Sequence, residues 1–140
     1  MNATIRILAL SLSLAGAALQ ARAGDLTIRV DNVQGGSGQV VAALYDNAAG
    51  FLKRPVREAS MPASAGSTTL VFKDLAPGDY GVAVYHDANG NGKLDTNAIG
   101  IPTEPIGFGN DAQGRMGPPA FDAARLNVPA AGASVSVKLR

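Results

Sequence analysis

A run of oxygen-bearing side chains between residues 87 and 95 has the spacing of a calcium-binding loop. The run is Asp87-Ala88-Asn89-Gly90-Asn91-Gly92-Lys93-Leu94-Asp95, and it matches the first nine positions of an EF-hand-type loop. A chain that curls around a hard cation turns alternate side chains inward, and glycine at the sixth position permits the sharp bend. The run therefore predicts calcium ligands from the side chains of Asp87, Asn89, Asn91 and Asp95, and from the backbone carbonyl of Lys93.

The closing ligand of such a loop is missing. Its twelfth position, where a bidentate Glu is typical, is Ala98. Glu104 is the next acidic residue along the chain, and we expect it to fold back and strengthen the site. Without the usual closing Glu, we expect weak calcium binding, with a Kd on the order of 10⁻⁴–10⁻³ M.

A metal-free turn explains the same run. Asn89-Gly90 and Asn91-Gly92 are strong turn pairs, and Asx side chains accept hydrogen bonds from their own backbone without any metal. The sequence leaves both alternatives open, a calcium-stabilised loop and a loop held by Asx turns.

His86, the only histidine in the chain, directly precedes this run. An enzyme of unknown chemistry could use it as a general base in a pocket with Asp87 and Glu104. The simpler interpretation is a histidine that packs on the core and hydrogen-bonds the long loop. The chain has no GxSxG, SxxK or HExxH motif, so the enzyme is the alternative to a non-enzymatic module.

Aromatic residues offer a third hypothesis, a carbohydrate-binding or envelope-associated module. Such a module needs an exposed row of aromatic side chains, and the sequence has no Trp, the best residue for stacking on sugars. Packing in the core explains the aromatic residues more simply. The residues in question are Tyr45, Tyr80, Tyr85, Phe108 and Phe121.

Short β-strands are expected to position these residues, because apolar and polar side chains alternate with a period of two. The alternation, with frequent turn signals, predicts an all-β fold, an antiparallel β-sandwich of about seven strands, transthyretin-like or immunoglobulin-like. Pro77-Gly78 predicts a β-hairpin between the fourth and fifth strands, and flanking prolines predict that the third is an edge strand. The predicted strands cover residues 26–30, 40–45, 56–61, 68–72, 80–85, 126–128 and 135–139.

The stretch from Asp87 to Asp122 is the exception, because it is rich in Gly, Pro and Asn and shows no strand of its own. A loop of this length in a compact domain is usually functional or disordered. Its apolar residues indicate an ordered loop that they pin to the domain. These residues are Ile99, Ile101, Ile106, Phe108 and Phe121.

The first 23 residues read as a cleaved signal peptide, with an uncharged apolar run and a small-x-small site at Ala21-Arg22-Ala23. We therefore expect export to the periplasm or full secretion, with residues 24–140 as one domain and no transmembrane segment in the mature chain. A net charge of +1 argues against nucleic-acid binding. The chain has no Cys, which excludes disulfides and thiol catalysis.

Three stretches of the chain resemble the bacterial family called Domain of Unknown Function 2141. They are Tyr85–Asp95, Gly100–Phe108 and Gly117–Phe121. The resemblance implies an exported single-domain protein of a family without an established activity. The expected partner is an unidentified component of the cell envelope or the extracellular medium. Ile106 departs from the pattern, since an aromatic residue is expected there. The resemblance points to loop positions His86, Asp87, Asn89, Asn91, Gly92, Asp95, Pro102, Glu104, Gly107 and Phe108.

Overall fold

The structure, a computed structural model, describes residues 23–140 and contains eight strands in that range. The predicted signal peptide lies, apart from Ala23, outside the described residues. A three-residue 3₁₀ turn, Gly109–Asp111, and a four-residue helix α1, Phe121–Ala124, connect β6 to β7. The strands are β1 Gly24–Val33, β2 Gln39–Tyr45, β3 Arg57–Pro62, β4 Gly66–Leu75, β5 Gly78–Asp87, β6 Ile106–Phe108, β7 Arg125–Val128 and β8 Ala133–Lys138.

Two sheets pack against each other and confirm the predicted β-sandwich. One sheet has the order β4-β1-β8, and the other has the order β3-β2-β5-β6 with β7 also paired to β5. The strand β3 lies at an edge, as predicted from its flanking prolines. Alternate side chains of β1, among them Leu26, Ile28 and Val30, are fully buried between the sheets. Of the strand pairs, only that of β1 with β8 is parallel in the described part of the chain.

The predicted hairpin between the fourth and fifth strands is wrong. The strand β4 pairs with β1, whereas β5 pairs with β2, so the Pro77-Gly78 link crosses from one sheet to the other. Phe72 of β4 and Val82 of β5 are both buried in the same core, and both are covered only when their strands face each other. The identity of the turn residues indicates where the chain reverses, but it does not indicate which strand each segment pairs with.

The long loop contains a strand that the alternation did not predict, the three-residue β6, which pairs with β5. Phe108 is buried, and Ile106 and Phe121 are partly buried, so these residues pin the loop as expected. Ile99 and Ile101 do not, since they are 80% and 54% exposed. The loop is therefore attached to the sheet by its second half, and its first half carries exposed apolar side chains.

The end of the chain joins the two sheets at one corner. The backbone of Arg140, just after β8, exchanges two hydrogen bonds with Ile106 of β6, at 3.1 and 2.9 Å. Because β8 and β6 belong to different sheets, these bonds close the sandwich at that corner. None of the helices in residues 23–140 is long and apolar enough to cross a membrane.

Candidate functional site

The carboxylate of Asp87 is the hub of the 87–95 loop. Asp87 ends β5 and is fully buried. Its Oδ1 accepts a hydrogen bond from the backbone N–H of Asn91 at 3.1 Å, and its Oδ2 accepts from the N–H of Gly92 at 2.8 Å and from Gln39 Nε2 at 3.2 Å. Burial raises the pKa of Asp87, but these hydrogen bonds outweigh it and hold the pKa below its ordinary value.

The side chain of Asp95 gathers the two asparagines. Asn89 Nδ2 donates to Asp95 Oδ2 at 2.6 Å, and Asn91 Nδ2 donates to Asp95 Oδ1 at 2.8 Å. The side-chain oxygens of the two asparagines accept from backbone N–H groups two residues on, those of Asn91 and Lys93. These are Asx turns, in which each side chain caps its own backbone.

Glu104 folds back onto the loop, as we expected from its position in the chain. Its Oε1 accepts from the backbone N–H of Ala88 at 3.2 Å, and its Oε2 accepts from the N–H of Asp95 at 3.0 Å. One carboxylate thus ties both ends of the 87–95 run to the segment that follows it. The structure joins the side chains of Asn89 and Asn91 to Asp95, whereas the carboxylates of Asp87 and Glu104 bind backbone N–H groups of the same loop.

The oxygen atoms of this cluster are arranged to close the loop by hydrogen bonds within the protein. The carboxylates of Asp87, Asp95 and Glu104 accept from N–H groups. Within residues 23–140, no group of three or more His, Asp or Glu side chains is placed to hold a metal ion. The Asx-turn alternative accounts for these contacts, and calcium binding stays a prediction.

His86 lies in the core rather than beside an open pocket. The side chain is 1% exposed, and Nε2 donates to the carbonyl oxygen of Ser37 at 2.8 Å. Its Nδ1 is buried without a hydrogen-bond partner in the described residues. Since the Asp87 carboxylate points into its own loop and Glu104 caps two backbone amides, the three side chains do not surround a cavity where a substrate could meet them.

The aromatic residues do not form an exposed row, because Phe51 packs against Tyr45, Phe108 and Phe121 and Tyr80 is buried, while Tyr85 is partly exposed on β5. The ring of Phe51 lies 5.2 Å from Tyr45, 5.8 Å from Phe121 and 6.5 Å from Phe108, measured between ring centroids. Burial raises the pKa of Tyr45, consistent with a side chain that is nearly covered. Sugar stacking therefore finds no open platform in this cluster.

A large apolar groove lies where the long loop crosses the outer face of the five-stranded sheet. Its cavity volume is about 980 Å³. Across its floor, Glu58, Ala43, Ala83 and Phe108 stand side by side on β3, β2, β5 and β6. The two alanines leave depth in the middle of the floor. The loop supplies walls of Leu94, Ile99, Ile101, Pro102, Met116 and Pro118.

Sequence reasoning missed this groove. The available signal was the presence of large apolar residues in an otherwise polar loop. Ile99, Ile101 and Met116 are exposed and pack in neither hydrophobic core cluster. The sequence predicts Ile99 and Ile101 as anchors of the loop, and it assigns no role to Met116. Their exposure shows that the walls of the groove face solvent, and the shape is that of a ligand site of the usual size.

Fold and site define a small β-sandwich with a hydrogen-bonded loop above an apolar groove. Residues 28–136 match the family described as an uncharacterized protein conserved in bacteria, DUF2141. The match spans most of the chain, so the protein belongs to this family, as the resemblance predicted. Neither a curated protein nor a solved structure shows a significant match to the chain.

Proposed function

We propose that this protein is an exported, non-enzymatic binding module that holds an apolar ligand in the groove. The observation that carries the proposal is the groove itself, about 980 Å³ of space beside exposed Ile99, Ile101 and Met116. Contiguous apolar surface in water is costly, and it usually marks a binding site. The hydrogen bonds of Asp87 and Glu104 give the loop wall a defined position from which to bind.

A neutral apolar dye tests the groove directly. We expect Nile red to bind the native protein with increased fluorescence. Ile101→Asp should weaken that binding about tenfold, because a charged side chain replaces an apolar side chain that contacts the dye. Val71→Asp is the matched control, since Val71 is 42% exposed on β4 of the other sheet. Failure of the wild type to bind the dye, or equal losses in both variants, would contradict the proposal.

Export rests on the amino-terminal pattern of residues 1–23. Expression of the full chain in a bacterial host, followed by fractionation and mass spectrometry, tests it. We expect the protein in the periplasm or the medium with Gly24 as its first residue. An intact amino terminus on a cytoplasmic protein would overturn this part of the proposal.

Calcium is proposed as a stabiliser of the 87–95 loop. The support is the position of Asn89 and Asn91 beside the Asp95 carboxylate. Turning each amide over would present its oxygen there, in exchange for the Asx-turn hydrogen bonds from the N–H groups of Asn91 and Lys93. Asp87 and Glu104 lie at the root of the same loop and supply further negative charge. A cation bound only to the folded state raises stability by mass action.

Thermal melting in EDTA and then in millimolar calcium measures this effect, with magnesium as the control ion. At a calcium concentration ten times the Kd, we expect a gain of about 1.4 kcal/mol and a rise in Tm of roughly 5 °C. Asp95→Asn keeps the side-chain size and removes a charge, so it should abolish the rise. An unchanged midpoint in calcium would leave Asx turns as the only support of the loop.

A further inference from the structure

We infer that the groove takes one unbranched aliphatic chain that ends in a carboxylate, with the carboxylate beside Arg140. This inference rests on the proposed function, because it names the ligand class of the same groove. Three features of the groove carry it, namely the kind of apolar surface exposed, the arrangement of the floor and the position of the charges.

The exposed surface of the groove is aliphatic. Ile99, Ile101 and Met116 are 80%, 54% and 107% exposed. Of the aromatic residues that line the groove, Tyr45 and Phe108 are 7% and 9% exposed, and Tyr85 is half-buried. A planar or sugar ligand needs an open aromatic face for stacking, and the groove presents little of one. The methyl and methylene groups of the wall make similar contacts with each methylene group along a flexible aliphatic ligand.

The floor runs across the strands. Glu58, Ala43, Ala83 and Phe108 are neighbours in register on four successive strands, and at about 4.8 Å per strand the row is roughly 14 Å long. Small side chains in the middle of a long row make a trough rather than a round pocket. A linear ligand fills such a trough better than a compact one.

A peptide is a poor occupant of the same trough. The floor is the face of a sheet, and the backbone groups of β2 and β5 are paired with neighbouring strands. A bound peptide would bury its own backbone N–H and C=O groups against apolar side chains without partners, which is costly. Strand addition requires an open sheet edge, and this floor offers none to the ligand.

Charge sets the direction of the ligand. Arg140 carries the one cationic side chain among the groove-lining residues in 23–140, and Glu58 carries the one anionic side chain there. Arg140 hydrogen-bonds β6, while Glu58 lies on β3, so the two charges stand toward opposite edges of the sheet. The Arg140 guanidinium donates one hydrogen bond, from Nη1 to the backbone carbonyl of Asp111 at 3.4 Å, and forms no ion pair with another side chain in the described residues. Its remaining N–H groups suit a carboxylate.

Displacement of Nile red by straight-chain carboxylates tests the inference on the protein as purified from the exporting host. From hexanoate through octanoate and decanoate to dodecanoate, we expect the Kd to fall about threefold per added methylene. Arg140→Gln should weaken dodecanoate about fivefold or more and leave dodecanol unchanged. Lys138→Gln is the matched control, because Lys138 is an exposed cation nearby that does not line the groove.

The outcomes separate this inference from the proposed function. If Nile red binds but chain length has no effect, the aliphatic ligand is wrong and the apolar groove stands. Equal weakening of dodecanoate and dodecanol in Arg140→Gln contradicts the assigned head-group position. Flotation of the protein with phosphatidylcholine vesicles, without displacement by dodecanoate, assigns the chain to a membrane lipid and overturns the free carboxylate. If Nile red itself fails to bind, the proposed function falls first.

Discussion

A single buried carboxylate organises the most distinctive part of this molecule. Asp87 holds the backbone of Asn91 and Gly92 from below, while Glu104 holds Ala88 and Asp95 from the following segment. These contacts use charge-assisted hydrogen bonds, which are stronger than neutral ones. Asp87 and Glu104, which the sequence predicts as calcium ligands, therefore accept hydrogen bonds from the loop backbone, and the order of the loop depends on their charge.

Replacement of Asp87 by Asn should make stability less dependent on pH. The pKa of Asp87 is lowered in the folded protein, so its contribution is full above the unfolded pKa of about 3.9 and is lost as pH falls through the folded value. At pH 7 in EDTA we expect Asp87→Asn to lower Tm by roughly 5–15 °C. The difference from wild type should shrink as the pH approaches 3. Thermal melting monitored by circular dichroism from pH 7 to pH 3 measures both effects.

Asp46→Asn is the control for that comparison, because Asp46 is exposed and, among residues 23–140, its side chain accepts a hydrogen bond only from the neighbouring Asn47. It should change the melting temperature little at any pH. A deficit of Asp87→Asn that stays constant down to pH 3 would show that the charge of Asp87 is not what holds the loop.

The spacing of residues 87–95 indicated side chains that the folded loop connects by hydrogen bonds, but it did not assign their partners. Asn89 and Asn91 present the same atoms to a cation or to a backbone amide, and only the folded loop shows that their Nδ2 atoms lie against Asp95. For His86, the residue type left both catalysis and packing open, with packing the simpler interpretation. Its burial depended on the partner strand of β5, which no local pattern reveals.

At the scale of elements, the root of the loop is built where β2 begins and β5 ends. Gln39 at the start of β2 is paired with Asp87 at the end of β5, and its side chain binds the Asp87 carboxylate. Just before β2, Gly38 passes so close to Asp87 that a Cβ at Gly38 would overlap the carbonyl oxygen of Asp87. The loop therefore depends on a tight crossing between two chain segments that are far apart in sequence.

Gly38→Ala should be much more damaging than the same change nearby. Gly38 has a φ of +69° as well as the close contact, whereas Gly35 has a φ of +86° with nothing within 4 Å of its added Cβ. We expect Gly35→Ala to cost about 1 kcal/mol for the left-handed backbone alone, and Gly38→Ala about 2–4 kcal/mol because the backbone must also move. Urea denaturation of both variants measures the two costs, and equal values would show that the crossing relaxes freely.

Local alternation predicted the strands well and their partners poorly. The sequence predicted seven of the eight strands, because β1 and β4 each bury one face and β2 and β5 are short apolar runs that bury residues on both faces. It missed the three-residue β6, which is too short for a period to appear. Pro77-Gly78 does reverse the chain, but the hairpin predicted from it is wrong, because β4 and β5 pair in different sheets that share one core.

At the scale of the whole molecule, the fold is completed only by its last residues. The strand β8 lies in parallel beside β1, the first strand. Beyond β8, Leu139 is fully buried, and its backbone N–H and C=O bind Asp31 and the side chain of Asn32. Arg140 then joins β6 in the other sheet, at one border of the groove. Core, sheet closure and groove thus meet at the same short stretch of chain.

Leu139→Ala is therefore expected to cost about 2–5 kcal/mol of unfolding free energy, as for other fully buried leucines that leave a cavity. Leu52→Ala removes the same atoms from a side chain that is 38% exposed, and it should cost under about 1 kcal/mol. Urea unfolding followed by circular dichroism and, separately, by tyrosine fluorescence gives both values. Since Leu139 lies where the two sheets join, both probes should shift together in Leu139→Ala. A shift in one probe alone would mean that the sheets unfold independently and that the end of the chain does not unite them.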